Sequence, residues 1–152
     1  MSMEAKSRVC PNRLLVSGYY VIAISLLFIG GSIYLLMRDK SLVMFNWAEY
    51  WGLLDYLDHL RKGFTLYDWP QWIVFSLPSG LWVSSYILLM HLLWADGNKK
   101  ARYVWTLCLP LMAILSEVLQ KYGGCPGTFD YCDIIFYTIP ILLYISYEII
   151  KK

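Results

Sequence analysis

The sequence predicts an all-α membrane protein: four transmembrane helices in one bundle, with an amphipathic interfacial helix between the first and the second. Three observations carry that expectation. Of 152 residues, 59% are hydrophobic and only 16% charged, against roughly a quarter charged in soluble domains. A soluble domain this short has too much surface for its volume to hide so many apolar side chains, whereas lipid solvates apolar faces directly. Finally, the apolar residues are gathered into four blocks, each close to the roughly 20 residues that cross a bilayer.

The first block, about 14–37, reads LLVSGYYVIAISLLFIGGSIYLLM and carries no charge. At 1.5 Å per residue it spans about 36 Å, enough for the hydrocarbon core with some tilt. It is longer than a signal-peptide core and no small-residue cleavage site follows, so it reads as a retained helix. Gly30, Gly31 and Ser32 offer a small-residue face for close helix packing. The second block, about 70–94, contains Pro78 and Gly80, which membrane helices tolerate where neighbours satisfy the freed backbone. The third covers about 103–120, with Pro110 and one acid, Glu117. The fourth covers about 133–150, with Pro140 inside. Four spans fill the chain as a single domain over 1–152.

Between the first two spans the chain is too long for a bare hairpin. Trp47, Tyr50, Trp51, Leu54 and Leu57 recur at three- and four-residue steps, with Glu49, Asp55, Asp58 and Arg61 falling largely between them. This predicts one amphipathic helix over about 43–62, lying in the membrane interface. Its aromatic stripe could anchor the bundle, cover a lipid-linked substrate, or dock a membrane partner protein.

Orientation follows from Lys and Arg. Four alternating spans put Lys6, Arg8, Arg13, Lys99, Lys100, Arg102, Lys151 and Lys152 on one side. Arg38, Lys40, Arg61, Lys62 and Lys121 fall on the other, spread over longer segments. The positive-inside rule places both termini in the cytoplasm. A net charge of +2 gives no footprint for nucleic acid. The four cysteines form no CxxC, and His59 and His91 stand apart, which argues against structural zinc. No cofactor is expected.

The stretch with chemical content is Ser116 to Pro140, SEVLQKYGGCPGTFDYCDIIFYTIP. Glu117 and Gln120 share a helix face. A turn with Gly123, Gly124, Pro126 and Gly127 follows, then Asp130 and Asp133 at the head of the fourth helix. Antiparallel neighbours joined by a short loop pack side by side, so these four polar residues are expected at one depth, near the outer interface. Each also has a plain structural role. Glu117 can pair with Lys121 at i,i+4, and Asp130 can cap a helix with Asp133 in its first turn. Together they could bind a divalent cation through oxygen ligands, supply general acid/base chemistry, or hold two helices in register. Cys125 and Cys132 flank the turn, and on the outer side a disulfide between them is chemically permitted.

ExxQ, a Gly/Pro turn and then FDxxD at the head of an apolar helix (Glu117, Gln120, Phe129, Asp130, Asp133) resembles the VanZ-like family of small membrane proteins. FSLPSG, Phe75 to Gly80, is similar to that family's second helix, where a phenylalanine precedes Pro-x-Gly. This chain resembles a divergent member. Tyr137 and Pro140 stand where the family carries asparagine and glycine. Gly127-Thr128 stands where the family's turn carries an arginine, so the turn itself supplies no positive partner for the acids. The resemblance implies a multi-pass protein of the bacterial cytoplasmic (inner) membrane with a role in the cell envelope; the family is named for a member linked to glycopeptide resistance. The competing expectation is a non-catalytic membrane subunit that docks a partner through Trp47, Tyr50, Trp51 and Leu54. The two readings separate on whether the acids or the aromatics are indispensable.

Overall fold

Six α-helices and no strand occupy the described residues of the computed structural model, 13–40, 43–64 and 66–151. Lys6, Arg8, Cys10 and Lys152, which enter the sequence argument, lie outside them. In chain order the helices are α1 (Arg13–Met37), α2 (Val43–Tyr50), α3 (Leu54–Phe64), α4 (Gln71–Leu93), α5 (Lys99–Lys121) and α6 (Tyr131–Ile150). α1, α4, α5 and α6 are each long and apolar enough to cross a membrane, and the chain is a multi-pass membrane protein.

The predicted third span starts one turn early. The Asn98 side chain accepts the Lys100 N–H at 2.9 Å and so caps α5. This moves Lys99, Lys100 and Arg102 from the predicted loop onto the first helical turns. Asp130 does the same for α6, accepting the Cys132 N–H at 2.8 Å.

The single helix expected over 43–62 is two helices. Gly52 adopts φ 67°. The Leu53 N–H bonds to the Ala48 carbonyl and the Gly52 N–H to the Glu49 carbonyl, the paired bonds of a Schellman end with glycine in the left-handed position. The same device closes α5: Gly123 has φ 73°, with Gly124 N–H on Leu119 and Gly123 N–H on Gln120. Arg61, expected on the polar outer face, is instead buried. Its guanidinium donates to the carbonyls of Leu35 and Arg38 and lies 4.9 Å from the Phe45 ring centre. It therefore answers the free carbonyls at the end of α1 and fastens α2 and α3 beneath them.

The distribution of side chains is inverted relative to a soluble protein. The largest fully buried side chains are Thr106, Pro78, Pro110, Ser76 and Ser85, while Phe28, Leu111, Met112 and Leu143 are more than half exposed. Small and polar groups pack the helices together, and bulky apolar groups face outward, as lipid permits.

α4 is the central helix, packed on α1 along one side and on α5 and α6 along the other; α1 also rests on α3. Side chains of α4 reach backbone carbonyls of its neighbours: Ser85 donates to Ala23 at 2.7 Å, Trp82 to Leu27 at 3.3 Å and Tyr86 to Trp105 at 2.6 Å. Gly30 permits the approach of Trp82, since a Cβ there would stand 2.7 Å from its indole nitrogen. Gly31 has open space around it and Ser32 is exposed, so only Gly30 of the predicted small-residue face meets α4. Gly80 plays the matching part against Phe136 of α6. Val83, Ile87, Ile141 and Tyr144 form the apolar centre between α4 and α6.

Candidate functional site

Polar side chains collect at both ends of this core. At the end holding the α5–α6 turn, Glu117 is 5% exposed and its Oε2 accepts the Asp130 N–H at a long 3.5 Å. Asp130 and Asp133 lie within electrostatic reach of Glu117. Asp133 faces Ser76 of α4 and is within electrostatic reach of Arg38, just past the end of α1. Its Oδ1 and the Ser76 Oγ are both buried without a completed hydrogen bond. Tyr137 stands beside Ser79, within reach of Asp133 and Glu117. Gln120 packs its amide over Gly127, where a Cβ would stand 2.8 Å from the amide carbon and where φ is 135°. Glycine is thus required twice over, for space and for backbone conformation.

Four elements contribute to this site: Arg38 follows α1, Ser76 and Ser79 come from α4, Glu117 and Gln120 from α5, and Asp130, Asp133 and Tyr137 from the head of α6. Lys121 does not form the i,i+4 ion pair with Glu117. It turns toward the loop, 3.3 Å from the Tyr131 hydroxyl and 5.1 Å from the Phe129 ring centre. The positive charge absent from the turn comes instead from Arg38, whose guanidinium also lies over the Tyr34 and Phe75 rings. Sequence reasoning counted Arg38 for topology alone, because no local spacing links it to residues almost a hundred positions away. Among the described residues, no group of three or more His, Cys, Asp or Glu side chains is arranged to hold a metal ion. Cys125 and Cys132 are free thiols, so the disulfide considered between them is not formed; Cys132 is held on the first turn of α6 by the Asp130 cap.

The aromatic stripe faces outward. Trp47, Tyr50 and Trp51 are 60%, 87% and 70% exposed, and Leu54 is half-buried. Phe45 and Ala48 supply the buried contacts of α2.

The opposite end holds a cluster the sequence reading missed. Glu148 of α6, 7% exposed, accepts bonds from Arg102 and from the Tyr103 hydroxyl, both at 3.1 Å. His91 Nδ1 approaches its other oxygen at 3.4 Å without completing a hydrogen bond. The signal was an acid four residues before the C-terminus and an arginine read as loop, 46 positions apart. Beside this cluster a groove of about 630 Å³ opens between α1 and α6, with α4 as its floor. His91, Tyr144 and Tyr147 line it, and Asp96 and Lys151 stand at its mouth.

Comparison of the chain with protein families, curated proteins and solved structures finds no match.

Proposed function

We propose that the chain is a divergent VanZ-like protein of the bacterial cytoplasmic membrane, with both termini inside, that serves the cell envelope by handling a lipid-linked substrate at the acidic cluster near the outer leaflet. The observation that carries this reading is Glu117, a carboxyl buried in a spanning helix with Lys121 one turn away and turned elsewhere. An acid inside a span is expensive, by about 2.5–3.5 kcal/mol for a charge at the bilayer centre and less toward the ends. Two helices held in register need no carboxylate; an amide would hydrogen-bond at lower cost. The surroundings suit a polar headgroup. Ser76, Ser79 and Tyr137 offer hydroxyls, Glu117 and Asp133 accept, and Arg38 supplies a cation for an anionic group. In such a site Glu117 is the group to give or take a proton.

The test is complementation. In a strain lacking the gene, susceptibility to glycopeptides and other envelope-directed agents is measured with each variant, membrane abundance being matched by immunoblot. Glu117→Gln and Asp133→Asn are expected to behave as the deletion, and joint replacement of Trp47, Tyr50 and Trp51 by alanine to complement. The reverse outcome selects the second reading, a non-catalytic subunit docked through its aromatic helix, which the outward exposure of those rings favours.

A further inference from the structure

We infer that the groove between α1, α4 and α6 binds one phospholipid of the leaflet facing the chain termini, with a phosphate–ammonium headgroup of the ethanolamine type. This site lies at the opposite end of the bundle from the acidic cluster and does not depend on it.

Three features select that occupant. The first is length. Along α1 the lining runs from Val16 to Leu26, and along α4 from Ser84 to Leu92, with Ala95 and Asp96 in the turn just beyond. At 1.5 Å per residue these are about 15 and 12 Å, close to half of a hydrocarbon core about 30 Å thick. The groove is one leaflet deep, and its volume of 630 Å³ falls within the roughly 300–1,000 Å³ of small-molecule sites. The second is polarity along its length. The inner part is walled by apolar side chains such as Leu26, Leu88 and Leu143, while the charged residues are confined to the mouth. The third is charge. Among the described residues lining the groove there is one cation, Lys151, and one anion, Asp96, each just past the end of its helix. Lys151 suits a phosphate, and Asp96 suits an ammonium that still has N–H groups to donate. A purely anionic headgroup would meet Asp96 with like charge. A trimethylated one would offer Asp96 no donor.

Native mass spectrometry of the full chain in detergent tests this, with dioleoyl lipids bearing ethanolamine, glycerol or choline phosphate headgroups added in turn. One ethanolamine lipid per chain is expected to be retained about fivefold more tightly than the other two. Leu143→Trp, a change at an outward-facing position that fills the groove, is expected to abolish the retained adduct while the unfolding midpoint without lipid holds. Asp96→Asn is expected to remove the preference for ethanolamine over choline. Equal retention of the three lipids by the unaltered chain, preference for the glycerol lipid, or retention unaffected by Leu143→Trp would each overturn the assignment. The last outcome would mean that the lipid sits elsewhere on the apolar belt.

Discussion

Glu148 and Glu117 are both buried carboxyls in spanning helices, yet their surroundings give them opposite expected behaviour. Glu148 is bonded by Arg102 and Tyr103. Removing one member of a buried pair leaves the other charge stranded, typically at about 3–5 kcal/mol. Arg102→Met should therefore lower the denaturation midpoint in detergent sharply, and Arg102→Met combined with Glu148→Leu should recover most of the loss. Glu117 carries no such cation. Glu117→Gln should leave the midpoint unchanged or raise it while complementation fails, the pattern of a group kept for function at a cost in stability. The two acids were not equally legible in the sequence. Glu117 and the aspartates were joined by helix spacing and a glycine-rich turn of a few residues, so chain connectivity alone set them side by side. Arg102 and Glu148 meet only through the packing of whole helices, and no local pattern announces that.

At the scale of elements, boundaries were read less well than spans, for reasons of capping chemistry. The apolar periodicity across Gly52 continues without interruption, and it concealed the break that a left-handed glycine makes between α2 and α3. Gly52→Ala should cost about 1–2 kcal/mol, the penalty of that backbone conformation for a residue with a Cβ, measured by denaturant titration. Arg61 ties this pair of helices to the end of α1, beside an exposed ion pair between Lys40 and Asp58 at 2.6 Å. Arg61→Met should speed amide hydrogen exchange across 43–64 by at least about tenfold, with α4 and α6 unaffected. Arg61→Lys should not restore protection, because a single ammonium lacks the planar fork that reaches two carbonyls. The α1–α4 contact is tested at adjacent positions. Gly30→Ala forces Trp82 and the Pro78 carbonyl to give way, at about 1–3 kcal/mol. Gly31→Ala, with open space around it, should be neutral.

Across the whole molecule, hydropathy was sufficient to show the four membrane helices, since each span must satisfy its backbone internally and present apolar side chains to lipid. It could not show the order of packing. α4 is central because its Ser76 and Gly80 on one face and its Pro78 and Ser85 on the opposite face are the small or polar residues that let its neighbours approach on both sides, and that is a property of where residues fall around the helix rather than of mean composition. The resulting bundle has an acidic site at one end and a neutralised ion pair beside an open groove at the other. The acidic site depends on the meeting of Glu117 on α5 with Asp130 at the head of α6. In a background with every native cysteine replaced, Glu117→Cys combined with Asp130→Cys should be joined within native membranes by a short bifunctional thiol reagent. Joining is read as loss of separation between halves after cleavage at a protease site placed in the turn. Val118→Cys combined with Tyr131→Cys, at outward-facing positions, should remain unjoined. Efficient joining of the outward pair with none of the first would contradict the shared site.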